Sequence, residues 1–384
     1  MNTTSNRESA DQVEGKAESI TRAFEGFARW NGRTGIRNRV LVLPSVICSH
    51  VVADRIAARV SGATSASHDH GCAQMGADNE QTERTLLGVA TNPNVAGTLL
   101  VGLGCEHVQS GSVADQLEAL GAPVREISIQ NEGGVDETID RGERLAEELV
   151  NGARSERIRT DLSDLTVGVI SGDLNRATVE TADPLVGSFV DRVVDAGGNV
   201  VVAGTERLAA HPREAVSMAA SEKAAGEVDD LVARLRDRQA KQTRIRRCAE
   251  DRPFNEGTRA WGSGPIRDVL RYGEVATHES GLAIVESPSE FAEAATALTA
   301  AGAQVILHVT DEGVPTGHPV APVVKVTGNQ ETYEALSNDI DVDAATTTEA
   351  ELIDYVVDVA DGEPCRAEVH GVSEFAITRV GPSM

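Results

Sequence analysis

Aromatic residues are scarce in this chain: 6 Phe, 3 Tyr and 2 Trp make up 3% of its 384 residues. Hydrophobic residues of all kinds make up 40%, so aliphatic side chains must fill the core. No apolar run approaches the roughly 20 residues that a membrane-spanning helix needs. The polar segment from Met1 to Lys16 lacks the basic and apolar regions of a secretion signal. These absences predict a cytoplasmic protein that does not enter a membrane.

Closely spaced cysteine pairs are also absent, because the five cysteines are widely separated and none forms a CxxC pair. A structural zinc ribbon is therefore excluded. Without a secretion signal, free thiols in a reducing cytosol are expected. The five are Cys48, Cys72, Cys105, Cys248 and Cys365.

Lysine is rare, and negative charge dominates. Only four of the 35 basic residues are lysines, and the formal net charge is −25. Nucleic-acid phosphates would be repelled by this charge, so we expect no nucleic-acid partner. Carboxylates scattered along the whole chain are typical of a surface adapted to a high-salt cytoplasm.

Apolar runs alternate with helical patterns, which predicts an α/β fold with two Rossmann-like parallel-sheet domains and helices on both faces. The length also exceeds one typical domain core. We place a disordered lead-in at 1–23, a first domain at 24–152 and a second at 160–384. The predicted strands are Arg39–Val46, Val95–Val101, Val124–Ile129, Leu165–Ile170, Asn199–Val202, Gln304–His308, Val320–Val326 and a short strand at the C-terminus. The longest predicted helix runs from Pro212 to Arg247.

Two glycine-rich turns carry chemistry. The first reads His68-Asp69-His70-Gly71-Cys72, and the second, Gly102-Leu103-Gly104-Cys105-Glu106-His107, directly follows the strand Val95–Val101. Ligands of open α/β sheets bind at the carboxyl ends of strands, where glycine permits sharp turns. Thiols, imidazoles and a carboxylate at two such turns predict a metal site or a polar active site. Each turn alone is equally consistent with a tight turn around a buried thiol.

Two further segments are weaker candidates. Arg33, Arg37 and Asn38 belong to a loop whose guanidinium groups suit a carboxylate substrate. Lys325, near the end of a predicted strand, stands out because lysine is so rare here. No phosphate-binding loop, complete dinucleotide fingerprint or nucleophile elbow is present.

Taken together, these segments resemble the catalytic part of the altronate/galactarate dehydratase family. The resemblance rests on both cysteine turns, on the loop from Gly26 to Asn38, and on Asn92-Pro93-Asn94. It continues through Gly313 to Lys325 and the tail from Glu374 to Met384.

The resemblance implies a hydro-lyase that converts a sugar acid into a 2-keto-3-deoxy acid. It also implies a divalent metal, usually Fe²⁺, with Mg²⁺ or Mn²⁺ as alternatives. A small SAF-type domain, in some members a separate subunit, is implied as a partner, and a homo-oligomer is left open. Sulfolactate sulfo-lyases share this scaffold and eliminate sulfite instead.

On this reading the catalytic candidates are His68, Cys72, Cys105, Glu106 and Lys325. Among these, Cys72, Cys105 and Glu106 are also the candidate metal ligands. The sequence does not distinguish which residue acts as the catalytic base and which binds the metal. The candidate substrate-binding residues are Arg33, Arg37, Asn38, Ser171, Asp173 and Asn175.

The strand that opens the second half is followed by a departure from the family pattern. Ser171 stands where the family has cysteine, and Asn175 stands where it has aspartate. A weakened binding or regulatory homologue is therefore a third interpretation, beside the dehydratase and the sulfo-lyase.

Overall fold

The computed structural model describes residues 22–72, 74, 76–153, 156–237 and 243–380. Nearly all of the lead-in placed at 1–23, and the last residues of the tail, lie outside this range. The strands are β1 (Phe24–Ala28), β2 (Thr34–Gly35), β3 (Arg39–Pro44), β4 (Ala63–Ser65), β5 (Val95–Gly102), β6 (Val124–Ser128), β7 (Arg157–Thr160), β8 (Thr166–Ser171), β9 (Asn199–Val202), β10 (Ile266–Leu270), β11 (Gly281–Val285), β12 (Val305–Val309), β13 (Val323–Thr327) and β14 (Val342–Asp343).

Helices connect most of these strands. They are α1 (His50–Arg59), α2 (Ala77–Ala90), α3 (Ser110–Leu120), α4 (Ile129–Glu132), α5 (Val135–Gly152), α6 (Asp183–Asp195), α7 (Thr205–Ala210), α8 (Pro212–Ser217), α9 (Glu222–Asp237), α10 (Arg244–Glu250), α11 (Phe254–Gly257), α12 (Phe291–Ala300), α13 (Gln330–Ala335), α14 (Glu349–Asp361) and α15 (Arg366–His370). None of the helices in the described ranges is long and apolar enough to cross a membrane.

Two wholly parallel sheets organise the fold, which confirms the predicted α/β class. The first has the strand order β4-β3-β5-β6, and the second has the order β10-β11-β9-β8-β12-β13-β14. In the first sheet, α1 and α5 pack on one face and α2 and α3 on the other. Every residue of β5 is buried, as its continuous apolar run predicts.

The two sheets share one hydrophobic core. Helix α2 of the first sheet packs on α12, which is buried from Ala294 to Ala300 and contacts β8. Leu86 and Val89 on α2 belong to the same core cluster as Leu298 on α12. Gly88 permits the close approach, because a Cβ there would lie 2.9 Å from the carbonyl oxygen of Ala300.

Several elements were not predicted. An antiparallel sheet of β2-β1-β7 joins the two halves, so the stretch read as a boundary contains a strand. This strand is β7, whose residues are half-exposed and mostly polar. It therefore lacks the apolar run that marks a buried strand. Strands β4, β10 and β11 were also missed.

Two predicted elements were wrong. The helix expected from Pro212 to Arg247 is α8, α9 and α10 instead, with a turn at 218–221 between the first two. Residues 372–379 form no strand, so the expected C-terminal strand is absent from the described part of the tail.

Candidate active site

The carboxyl edge of the first sheet carries three cysteines on three neighbouring turns. Cys48 follows β3, Cys72 lies beyond β4, and Cys105 follows β5; all three are exposed. The amide of Ile47 donates to the carbonyl of His70 over 2.8 Å. The amide of His107 donates to the carbonyl of Gly71 over 3.3 Å. The structure thus brings the two predicted cysteine turns together and adds a third.

Gly71 lets these turns pack so closely. Its φ is +91°, a conformation that other residues rarely adopt. A Cβ at this position would collide with the carbonyl oxygen of Ser45 and lie 2.8 Å from the Cα of Val46. Glycine is therefore required here both for backbone conformation and for space.

Glu106 is buried beneath this edge as a carboxylate. Its Oε1 accepts a hydrogen bond from Ser45 Oγ at 3.0 Å, and its Oε2 accepts one from the amide of Gly104 at 2.6 Å. Burial alone would raise the pKa of Glu106, but these bonds and backbone donors at Glu106 and Ser110 outweigh it and lower the pKa. Glu106 therefore holds the turns as an anion, and both of its oxygens are engaged.

Both ring nitrogens of His68 are engaged by the backbone, and its predicted catalytic role stays a prediction. Its Nε2 donates to the carbonyl of Pro44 over 2.8 Å, and its Nδ1 accepts from the amide of His70 over 3.1 Å. Burial lowers the pKa of His68 to about 4, so the ring is neutral. We assign it a role in shaping the turn.

Asp69 and His70, which the sequence reasoning passed over, face a cleft. His70 Nε2 lies 3.2 Å from Asp69 Oδ1, and its Nδ1 accepts from the Gln74 amide. Burial lowers the pKa of His70. The Asp69 side chain is 61% exposed, and its Oδ2 accepts from Arg379 Nη2 at 3.2 Å. The sequence feature that could have identified Asp69 and His70 is their position in the first glycine-rich turn, between His68 and Gly71.

The structure does not offer a ready site for the implied single metal ion. Within the described ranges, no group of three or more His, Cys, Asp or Glu side chains is arranged to hold one ion. Cys72 and Cys105 are exposed, whereas both oxygens of Glu106 face other donors. The predicted ligand set of Cys72, Cys105 and Glu106 therefore does not fit a single ion.

A second cluster of polar groups lies at the carboxyl edge of the second sheet. The chain runs from β8 to β9 on one side of β8, while β12 on its other side leads to β13. Ligands of open α/β sheets bind at such a reversal of strand order. The loops after β8 and β12 indeed line a cleft of about 450 Å³.

Asp173 and Asn175 line this cleft, where the sequence placed them. Asp173 accepts from the Asn175 amide at 2.9 Å and from the Asp311 amide at 2.9 Å. The Asn175 side chain donates to Asp311 Oδ2 at 2.9 Å. Both residues therefore fix the loops after β8 and β12 against each other.

Ser171 lies beneath the cleft floor, not in it. Its hydroxyl donates to Asp183 Oδ1 at 3.1 Å, and it is 2% exposed. Burial raises the pKa of Asp183 to about 7, although the Arg207 guanidinium opposes the shift. The Ser171 side chain thus contacts Asp183 in this buried polar cluster, and its predicted contact with substrate stays a prediction.

A second cleft, of about 600 Å³, adjoins the first and reaches the first sheet. Glu206, Thr243 and Pro288 line both clefts. Asp69 and His70 enter the second cleft from the first sheet. Its charged lining residues further include Arg246, Glu286, Glu293 and Arg379. The two clefts form one groove between the carboxyl edges of the two sheets.

Glu293 supplies this groove with a carboxyl group whose pKa lies above the usual value for glutamate. Burial raises its pKa, and the charges of Glu290, Glu206 and Asp69 raise it further. No pattern in the sequence distinguishes Glu293, because it occupies an ordinary first-turn position of α12.

Arg33, Arg37 and Asn38 face the protein interior, which argues against their predicted substrate contacts. Arg33 Nη2 donates to Thr166 Oγ1 at 3.0 Å, and burial lowers its pKa. Arg37 is paired with Glu368 at 2.7 Å. Asn38 donates to the carbonyl of Ala153 at 2.7 Å and accepts from Arg29 at 2.8 Å. These groups join the two halves of the chain.

Lys325 is also an interior group, and it lines neither cleft of the groove. It is 1% exposed, and its Nζ lies 3.5 Å from the carbonyl oxygen of Thr316. Burial lowers its pKa. Its position on β13 places it under the loop that follows β12, so its predicted catalytic role is not supported.

Comparison with known proteins identifies the family. Residues 26–154 match the family model described as D-galactarate dehydratase/altronate hydrolase, second domain. Residues 257–383 match the model described as D-galactarate/altronate dehydratase, C-terminal. The Asp69 turn lies in the first match and Glu293 lies in the second.

Curated relatives match almost the whole chain. Altronate dehydratase of Bacillus subtilis (strain 168) is 30% identical over 94% of this chain and 79% of its own length. Altronate dehydratase of Escherichia coli (strain K12) is 28% identical over 96% of this chain and 80% of its own length. The (2R)-sulfolactate sulfo-lyase subunit beta of Chromohalobacter salexigens is 29% identical over 94% of this chain and 98% of its own length. The chain therefore belongs to the D-galactarate dehydratase/altronate hydrolase family and is an enzyme of the carbon–oxygen lyase class.

Proposed function

We propose that this enzyme removes water from a sugar acid and yields a 2-keto-3-deoxy acid, with its active site in the groove between the two sheet edges. The observation that carries the proposal is a pair of carboxyl groups with different environments in one cleft. Asp69 is largely exposed and contacts the guanidinium group of Arg379. Glu293, in contrast, has a pKa that burial and neighbouring charges raise. Such a pair divides naturally into a base and an acid.

The elimination needs a base for the proton beside the carboxylate and an acid for the departing hydroxyl group. Asp69 is the base, since its carboxyl group is open to the cleft and lies beside the Arg379 guanidinium. Glu293 is the acid, since burial raises its pKa and so makes its protonated form more accessible than that of an exposed glutamate. The proton leaves the α-carbon for Asp69, the C–O bond breaks, and Glu293 protonates the leaving oxygen to give water.

Arg246 and Arg379 line the same cleft and suit a carboxylate substrate. Removal of the α-proton places extra negative charge on the substrate carboxylate. Two guanidinium groups nearby would stabilise this charge in the transition state. The described residues do not fit the single divalent metal ion that the family resemblance implies.

We also propose that this enzyme works with a small SAF-type partner subunit. The sulfo-lyase relative, 98% of whose length this chain spans, is named as a subunit beta. That shared length favours a two-subunit organisation in this enzyme.

A substrate screen tests the proposal. Purified enzyme, alone and with an SAF-type subunit, is supplied with aldonates, aldarates and (2R)-sulfolactate. We expect a 2-keto-3-deoxy acid from at least one sugar acid. Sulfite release from sulfolactate, without dehydration of any sugar acid, would replace this function with the sulfo-lyase one. Turnover of none of these compounds in either preparation would favour a binding or regulatory role.

A further inference from the structure

We propose that His308 binds the terminal hydroxyl group at the uncharged end of the substrate, so that the cleft of about 450 Å³ selects sugar acids with one carboxylate over those with two. This inference rests on the proposed function and adds the substrate class. His308 lies near the carboxyl end of β12, which pairs with β8 where the strand order reverses. Ligands of open α/β sheets bind at such a position. The place of His308 in the sheet therefore makes it a candidate for a contact with substrate.

The His308 ring is held in place, and one of its nitrogens is left for a ligand. The residue is 3% exposed, and its ring centroid lies 4.6 Å from that of Phe291, which lines the same cleft. Its Nδ1 lies 2.8 Å from the hydroxyl oxygen of Thr316. Its Nε2 has no hydrogen-bond partner among the residues that the structure describes. Because an unpaired polar atom in a buried ring is costly, a hydrogen bond from a bound ligand would be favourable.

Gly172, in the loop after β8, keeps the Nε2 edge of this ring uncovered. A Cβ at Gly172 would lie 3.0 Å from Nε2 and 3.2 Å from the carbonyl oxygen of Val309. Gly172 itself lines the cleft. Its φ lies outside the positive range, so the backbone conformation does not require a glycine here. The space beside Nε2 is what a larger residue would fill.

The imidazole of His308 is neutral and therefore suits a hydroxyl group. Burial, and then the charge of Lys325, lower the pKa of His308 to about 3. Lys325 is the residue opposite His308 on β13. The Thr316 hydroxyl can donate to Nδ1 or accept from it, so Nε2 is correspondingly a donor or an acceptor. A substrate hydroxyl group can fill either role and pairs with Nε2 in both tautomers.

The other charges of the cleft favour an uncharged end of the substrate. Its described lining residues include four carboxylates, which are Asp173, Glu206, Glu290 and Glu312. Among those described lining residues, Arg244 is the only cation, and it lies 3.9 Å from Glu312. A second substrate carboxylate would meet this surplus of negative charge, whereas a hydroxylated end would not. The cleft therefore fits the far end of an aldonate better than that of an aldarate.

The two clefts of the groove meet close to the proposed acid. Phe291, which contacts the His308 ring, and Glu293 both belong to the first turn of α12. One turn of an α-helix rises about 5.4 Å. A sugar acid with its carboxylate at Arg379 and its leaving hydroxyl group at Glu293 would therefore extend its far end toward His308.

Steady-state kinetics and binding calorimetry test the inference together. Each six-carbon aldonate of the substrate screen is compared with the aldarate of the same configuration and with its own 6-deoxy analogue. We expect kcat/KM for the preferred aldonate to exceed that for the aldarate by at least about 10-fold, because the aldarate brings a second negative charge. The 6-deoxy analogue should lose about 10-fold or more, because Nε2 then stays unpaired.

Variants at the ring and beside it show whether His308 causes this preference. His308→Phe should lower kcat/KM for the aldonate about 10-fold and leave the 6-deoxy analogue nearly unchanged. Gly172→Ala should act in the same way, because its methyl group covers Nε2. His308→Gln, whose amide can take the place of Nε2, should recover part of the loss. The control is His370→Phe, at a side chain that is 40% exposed on α15, and it should match the wild type with every compound.

The outcomes separate this inference from the proposed function. Turnover of aldarates at least as fast as aldonates would overturn the inference and leave the proposed function intact. So would an unchanged preference for the terminal hydroxyl group in His308→Phe or Gly172→Ala protein that folds normally by circular dichroism. Aldonate binding that depends on His308, without dehydration of any sugar acid, would reject the proposed function alone. An enzyme that neither binds nor dehydrates any of these compounds would reject both.

Discussion

Arg207 donates from Nη2 to the carbonyl oxygen of Ser171 at 2.8 Å, which ties α7 to the end of β8. The same guanidinium donates from Nη1 to Ser289 Oγ at 2.8 Å and from Nε to the carbonyl of Gly257 at 2.8 Å. Arg207 is 1% exposed. One buried cation thus fixes three segments around the groove of the second sheet.

Replacement of Arg207 should therefore destabilise the fold and disturb the groove. We expect Arg207→Ala to lower the free energy of unfolding by about 3 kcal/mol, because it leaves the carbonyls of Ser171 and Gly257 without their donor and removes a buried cation whose charge acts on Asp183. Urea denaturation measures this loss. The control is Arg213→Ala, at an exposed position of α8, which should change the value by less than about 0.5 kcal/mol. Equal stability of the two variants would contradict this role of Arg207.

Gly71→Ala should disrupt the cysteine turns. Gly32 provides a matched control, since its φ of +77° is also positive but a Cβ there would meet nothing within 4 Å. Gly32→Ala should cost about 1 kcal/mol for backbone strain alone. Gly71→Ala should cost clearly more in thermal or urea unfolding, because the added methyl group meets the Ser45 carbonyl. Similar losses in the two variants would show that close packing at Gly71 is unimportant.

The sequence predicted much of the fold but only part of the site. Buried strands such as β5 and β9 can be predicted because their sequences are continuous apolar runs. Strand β7 does not, because an antiparallel strand with one exposed face can be polar. The glycine turns could be recognised from the sequence, because glycine permits a sharp backbone turn at the end of a strand.

The roles of individual polar residues were harder to foresee. Ser171 and Asp173 are two residues apart, yet one faces a buried aspartate and the other faces the cleft. Arg37 looked suited to a substrate, but its partner Glu368 lies 331 residues away in the chain. Burial comes first among the causes that raise the pKa of Glu293, and burial depends on the tertiary fold rather than on the neighbouring residues in the chain.

The buried ion pair of Glu368 predicts a specific pH dependence of stability. Burial alone would raise the pKa of Glu368, but hydrogen bonding and charge from Arg37 and Arg39 outweigh it and lower the pKa below 4.5. The stabilisation is therefore complete above about pH 4.5 and is lost as the pH falls through the folded-state pKa. Glu368→Gln should cost about 3 kcal/mol at pH 7.

Unfolding of wild type and Glu368→Gln across the pH range measures this effect. The difference between them should shrink below pH 4.5 as the wild-type carboxylate becomes protonated. Glu180→Gln, in an exposed pair with Arg176, should match the wild type at every pH. A difference for Glu368→Gln that stays constant down to pH 3 would contradict the ion-pair explanation.

The net charge of −25 predicts that salt stabilises the fold. The Debye length is about 30 Å at 0.01 M salt and about 3 Å at 1 M, so repulsion among carboxylates is strong only at low salt. The melting temperature should rise steeply between these conditions in both sodium and potassium chloride. A flat profile would show that carboxylate repulsion does not set the stability.

The most direct test of the base and acid assignments is solvent deuterium exchange at the substrate α-carbon, measured together with keto-acid formation. Asp69→Asn should lose both reactions, because no base removes the α-proton. Glu293→Gln should lose dehydration but still exchange the α-proton, because only departure of the hydroxyl group is blocked. Asp140→Asn, at an exposed position on α5, should retain both. Wild-type rates of exchange and dehydration in Asp69→Asn would contradict the account.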